Sequence, residues 1–133
     1  MASFDKVVDS GERQSFETGS VRDTRAGKGR FDLIPPYALY RLARHYENGA
    51  KKYGDHNWLK GQPVSRYLDS AIRHLFKYLG GFRDEDHLTA VAWNALAAVE
   101  TLYRIEASML PKTLDDVPAV VPWDKPPKED LPF

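Results

Sequence analysis

The chain has 133 residues, enough for one domain, and its nineteen Lys and Arg balance nineteen Asp and Glu. A formal net charge of zero argues against a bulk nucleic-acid binder, so any anion site has to be local and no direct nucleic-acid partner is expected. The chain has no cysteine, which excludes disulfides and thiolate–metal centres and is compatible with a reducing cytoplasm. The first residues, MASFDKVVDSGERQ, hold no apolar core of a signal peptide, and no apolar run reaches membrane-spanning length. A cytoplasmic protein with no membrane partner is the expectation.

Residues 1–33 are polar and carry Gly11, Gly19, Gly27 and Gly29 with no helical period, which predicts an extended N-terminal arm. The end of this arm, Gly27-Lys-Gly-Arg-Phe-Asp-Leu-Ile-Pro-Pro36, sets Lys28 and Arg30 beside glycines and just before a helix start. Proline suits a first helical turn, where its missing N–H costs nothing. A basic loop feeding a helix N-terminus is a phosphate-binding element or a cationic arm, and both readings stand. Asp32 either caps the first helix or supplies a carboxylate.

The first helix is predicted from about Pro35 to Tyr53, with Leu39, Leu42, Ala43, Tyr46 and Ala50 on one stripe and Gly54 as the stop. A loop with turn formers at both ends follows, through Asn57 and Trp58 to Pro63. The second helix is predicted from Val64 to Leu79, capped at Pro63 or Ser65, with Val64, Leu68, Ala71, Ile72, Leu75 and Leu79 as its apolar face. Asp84-Glu85-Asp86 precedes a third helix to about Ser108; acidic residues there suit the helix dipole. Leu88, Val91, Ala92, Ala95, Leu96, Val99 and Leu102 make that helix apolar on most sides. Three helices cannot cover it, so an oligomer that completes a bundle is expected. Residues 111–133 hold six of nine prolines and read as an extended tail that either is disordered or lies across a neighbour through Trp123 and Phe133.

The phosphate-binding Gly-rich loop, the nucleophile elbow and the zincin helix motif are all absent. Asp86-His87 runs opposite to a His-Asp doublet. What remains is polar groups on helices that should be apolar. Arg66, Asp69 and Arg73 share one stripe of the second helix, with His74 beside them. His87 and Asn94 are a heptad apart on the third, flanking its apolar face. Glu47 and Lys51 are an i, i+4 pair on the first. Carboxylates on facing helices can hold Mg²⁺ or Mn²⁺, and Arg, Lys and His around them can hold phosphates. The same spacings also describe surface ion pairs, dipole-complementing acids and structural histidines. Trp58 is either core or a platform for a base.

Several strings occur in order: Thr18-Gly-Ser-Val-Arg-Asp-Thr24, the loop of residues 27–36, Gly49-Ala-Lys-Lys-Tyr-Gly54, Asn57-Trp58, Arg73-His74-Leu75 and His87-Leu88 to Asn94. As an ordered set they resemble the small phage and bacterial dATP/dGTP diphosphohydrolase family, MazG-like all-α nucleotide pyrophosphohydrolases, over roughly residues 16–104. The nearest likeness is to members from phages that put 2-aminoadenine in place of adenine.

The resemblance implies an all-α, MazG-like bundle over residues 34–110, completed as a dimer or tetramer. It implies hydrolysis of dGTP or dATP to the monophosphate and pyrophosphate by metal-held water, with two or more Mg²⁺ or Mn²⁺ ions. In such a phage the product dGMP would feed the modified purine and dATP would be drained. The wider MazG group carries Glu-Glu-x-x-Glu and Glu-x-x-Asp, where this chain reads Asp69-Ser-Ala-Ile-Arg73 and His87-Leu-Thr-Ala90. Only Asp69 keeps a carboxylate there, so the metal set has to be rebuilt. The expected metal ligands are Glu47, Asp69, Asp84 and Asp86; the expected catalytic residues are Glu47, Asp69, Arg73 and His74. Lys52, Arg66, Arg73 and His74 are expected on phosphates, Asn57, Trp58, His87 and Asn94 around base or sugar, and Lys28 and Arg30 as substrate-binding residues of a loop that serves as a substrate-side lid or an intersubunit strap. A non-enzymatic nucleotide-binding or adaptor module is the alternative, and a different diphosphate substrate such as dUTP or phosphoribosyl-ATP a third.

Overall fold

A computed structural model describes residues 5–118. Trp123, Phe133 and the rest of the proline-rich stretch from residue 119 lie outside the described residues. The chain divides into two units, Met1–Ile34 and Pro35–Phe133.

In the first unit, β1 (Arg13–Ser15) and β2 (Val21–Asp23) form an antiparallel hairpin that pairs Arg13 with Asp23 and Ser15 with Val21. The arm is therefore not simply extended; strands of three residues are too short to show a period of two. Gly19, at φ 85°, turns the hairpin and donates its N–H to the Phe16 carbonyl at 2.9 Å. Asp23 gathers the Ser10 hydroxyl and the Lys28 ammonium, the latter at 2.7 Å. These hydrogen bonds, Lys28 first, hold its carboxyl well below the usual range. A single 3₁₀ turn, Phe31–Leu33, follows.

The second unit contains three α-helices: α1 (Pro36–Tyr53), α2 (Val64–Leu79) and α3 (His87–Glu106), with 3₁₀ turns at Asn57–Lys60 and Lys112–Leu114. Their ends are written in local chemistry. Pro36 opens α1 and Gly54, at φ 88°, closes it with an N–H to the Ala50 carbonyl at 2.8 Å. Pro63 precedes α2 without a side-chain cap. Asp116, from beyond α3, accepts from the Ser65 N–H at 2.9 Å and pairs with its hydroxyl, satisfying orphan donors at the start of α2. Asp86 caps α3 by accepting from the Thr89 N–H at 3.3 Å. It also receives Arg41 of α1 through both carboxylate oxygens, at 3.0 and 2.5 Å.

α3 is the central helix and packs on both others. Its buried stripe is His87, Ala90, Asn94, Ala97, Ala98 and Thr101, the small and polar face. This differs from the predicted apolar face: Leu88, Leu96, Val99 and Leu102 are exposed, Val99 by 64%. α2 departs only in part. Val64 of the predicted face is buried, together with Tyr67, whereas Leu68, Ile72, Leu75 and Leu79 are exposed. Alanines let helix backbones approach closely, and the polar members of the stripe bond to their own helix. Asn94 Nδ2 donates to the Ala90 carbonyl at 2.8 Å, and Thr101 Oγ1 to that of Ala97 at 2.7 Å. Tyr67 fills the space between α2 and α3, and burial pushes its phenol up from the ordinary value.

Candidate active site

A cavity of about 490 Å³ opens between α1, α2, α3 and the loop after α1. That is within the usual range for a small-molecule site. α1 contributes His45, Tyr46, Gly49, Ala50 and Tyr53, which recur every three or four residues on one face. The loop contributes His56, Asn57 and Trp58, and α2 contributes Arg66, Ser70, Arg73 and His74. Trp93 and Asn94 of α3 close it.

Trp93 is the hub of this arrangement. Its ring lies 5.6 Å from His45, 5.9 Å from Tyr46 and 6.0 Å from Tyr67, so it ties all three helices together beside the cavity. Trp58 is placed in the short 3₁₀ turn, with His56 on one side and the Arg104 guanidinium 5.5 Å from its ring. His56 is left-handed at φ 58°, a strained conformation for a residue with a Cβ. Gly61 holds the far end of the loop at φ 80° and ψ 150°, against Leu110 and Leu114.

The lining holds two arginines and three histidines and no carboxylate. Burial lowers His45 and His74 from the ordinary imidazole value. The Arg66 guanidinium makes no hydrogen bond or ion pair with the described residues, whereas Arg73 is paired with Asp69 one turn back. Such a wall can take an anion next to aromatic rings.

Of the residues expected from sequence, Asn57, Trp58, Arg66, Arg73, His74 and Asn94 come together around this cavity. Lys52 lies outside the lining, with its ammonium 5.1 Å from the Tyr53 ring. Lys28 and Arg30 belong to the first unit, where Arg30 grips Asp32 through two bonds of 2.8 Å. Asp32 therefore sits in the 3₁₀ turn on Arg30 and does not cap α1.

The four expected metal carboxylates are dispersed. Glu47 faces Arg44 at 3.7 Å, Asp69 is on Arg73, and Asp86 is the α3 cap on Arg41. Asp84 Oδ1 instead meets His87 Nε2 at 2.8 Å, and this bond holds the Asp84 carboxyl below the usual range. His87 has no exposed side-chain surface, and its Nδ1 is 2.9 Å from Nδ1 of His74. Glu85 Oε2 lies 3.9 Å from that same His87 nitrogen. Among the described residues, His74, Glu85 and His87 are the one trio whose ligand atoms all fall within 4.8 Å.

This donor set fits a divalent ion of borderline character. It does not fit Mg²⁺, which prefers an all-oxygen shell. Sequence reasoning missed Glu85 as a site residue, along with His45, His56 and Trp93. Glu85 stood in an acidic run with a sufficient structural explanation, and the others carry no motif of their own.

A family model described as dATP/dGTP diphosphohydrolase, N-terminal, matches residues 18–109. The chain belongs to this dATP/dGTP diphosphohydrolase family. The matched span includes every residue that lines the cavity and the His74–Glu85–His87 trio. The family's name describes a hydrolase acting on purine deoxynucleoside triphosphates. No curated protein and no solved structure matches the chain. Among the described residues, no helix is long and apolar enough to cross a membrane.

Proposed function

We propose that this chain hydrolyses dGTP and dATP to the nucleoside monophosphate and pyrophosphate. The observation that carries the reading is a cationic, aromatic, carboxylate-free cavity lying wholly within the family match. In this reading Arg66 and Arg73 hold the phosphate chain from one face of α2, and Arg acts through paired N–H donors. Trp58 and Trp93 give the purine its flat surfaces, and Asn57 and Asn94 face its edge or the sugar. Water oxygen bonds to the α-phosphorus as the bond to the bridging oxygen breaks. The two arginines then carry the charge of the departing pyrophosphate. A divalent ion, when bound, lowers the pKa of water and neutralises phosphate charge. A 2-aminoadenine setting would give the products a use: dGMP would supply the modified purine nucleotide, and dATP would be depleted.

The test is to incubate the pure protein with each of the four common dNTPs and Mg²⁺ or Mn²⁺ and to separate products by ion exchange. Monophosphate and pyrophosphate from dGTP and dATP are expected. Orthophosphate release would overturn attack at the α-phosphorus. Nucleotide binding without turnover under either metal would establish the binding-module reading instead.

A further inference from the structure

We propose that His74, His87 and Glu85 form a single cation site at the edge of the cavity, one that takes Mn²⁺, Co²⁺ or Zn²⁺ in preference to Mg²⁺. The proposal deepens the nucleotide reading and rests on it for the purpose of the ion, but not for its binding. Its first support is the trio itself: two imidazole nitrogens and one carboxylate oxygen within 4.8 Å. Imidazole suits borderline transition ions, whereas Mg²⁺ seeks oxygen and keeps its water.

Its second support is independent and comes from the layer behind the trio. His87 is fully buried, yet both ring nitrogens are committed: Nε2 to Asp84 at 2.8 Å, and Nδ1 toward His74 and Glu85. With Asp84 ionised, His87 donates from Nε2–H. That bond leaves Nδ1 on the side of His74, 2.9 Å from its Nδ1, with Glu85 Oε2 at 3.9 Å. A carboxylate behind the far nitrogen of a histidine is the usual way a metal-binding imidazole is oriented and made more basic. The Nδ1–Nδ1 separation of 2.9 Å suits the case as well. Metal–nitrogen bonds of about 2.0–2.1 Å place two ligands on neighbouring coordination positions about 3 Å apart.

Charge elsewhere points the same way. Glu47, Asp69 and Asp86, the carboxylates a hard-oxygen site would need, are each held by an arginine. Displacing a guanidinium to admit Mg²⁺ would break an existing ion pair. His74 lines the cavity, so an ion held there stands beside Arg73 and next to whatever anion the cavity takes.

The test is Co²⁺ titration of the full chain, followed by visible absorption, with competition by Mn²⁺, Zn²⁺ and Mg²⁺. One Co²⁺ per chain with a ligand-field band is expected, displaced by Zn²⁺ and by excess Mn²⁺ and not by the same excess of Mg²⁺. His74→Gln and Glu85→Gln change partly or wholly exposed side chains, so both should fold by circular dichroism. Each should weaken Co²⁺ binding by more than about tenfold, and Asp84→Asn by about 10–100-fold. Glu47→Gln and Asp69→Asn should leave the band in place.

A band that survives His74→Gln and Glu85→Gln, or is lost in Glu47→Gln, overturns the proposal, as does ready displacement by Mg²⁺. Co²⁺ binding without dNTP turnover would sink the nucleotide reading and leave this site standing. Turnover with Mg²⁺ and no Co²⁺ binding would do the reverse.

Discussion

At the scale of single residues, what matters is which charges are already spoken for. Asp86 sits on Arg41 and on the Thr89 N–H, and these contacts, Arg41 first, lower its pKa to about 2. Its unfolded value is about 3.9, so folding holds the proton off. The stabilisation is fully present above about pH 4 and is lost as the pH falls through about 2. Solvent reaches a third of this side chain, so the effect is on the order of 1 kcal/mol. Asp86→Ala should cost about 1–2 kcal/mol at pH 6, and that difference should shrink in melts at pH 2.5. Asp86→Asn keeps an acceptor for the cap and should cost less. Arg66 is the opposite case, a guanidinium with no partner among the described residues, on the cavity wall. Arg66→Ala should leave the melting curve within about 0.5 kcal/mol of wild type. In steady-state kinetics it should lower kcat/KM for dGTP by about 10–100-fold, the worth of a charged hydrogen bond. Equal kinetics in wild type and variant would remove Arg66 from the site.

At the scale of elements, two glycines have opposite meanings. Gly49 lies inside α1 on the cavity wall, and a Cβ there would meet nothing within 4 Å. Glycine in a helix interior costs about 0.5–1 kcal/mol against alanine. Gly49→Ala should therefore raise stability by that amount while its methyl enters the cavity and raises KM. Thermal melts and kinetics on one preparation check both halves. Gly61 is the reverse: a Cβ would come within 2.8 Å of Leu114 and 2.9 Å of Leu110, at a φ and ψ that only glycine adopts with ease. Gly61→Ala should cost about 1–3 kcal/mol and loosen the loop that presents Asn57 and Trp58. Both limits of α1 and the starts of α2 and α3 were legible from Pro36, Gly54, Pro63 and the acidic run that ends at Asp86, because caps and breakers act within one or two residues. The hairpin was not legible, since its order comes from Asp23 reaching Ser10 and Lys28 and from no pattern along three-residue strands.

At the scale of the molecule, the unpaired apolar faces carry the information. Ile72, Phe76 and Leu79 on α2 are 53–72% exposed, and Leu96, Val99 and Tyr103 on α3 are 46–64% exposed. A second copy of this chain is the occupant expected from the sequence, since an apolar helix face needs cover that three helices cannot supply. Ile72→Asp should shift the mass measured by light scattering toward the monomer and leave the helix signal in place. An unchanged mass would move the interface away from this face of α2.

The sequence by itself determined three helices, most of their ends, the family, and six of the residues around the cavity, because each of these is encoded locally or as an ordered motif. Only the tertiary structure decided which face of α3, and of most of α2, turns inward, whereas Leu42, Tyr46 and Ala50 of the stripe predicted for α1 are half-buried. Hydrophobic periodicity shows that a face is apolar but not which neighbour covers it. Along α3 the close contact fell to alanines and to self-bonded Asn94 and Thr101. Only the tertiary structure, too, separated the carboxylates from one another and brought His74, Glu85 and His87 together. Ligand geometry depends on distances across two helices and a loop, and spacing along one strand of sequence cannot hold that information.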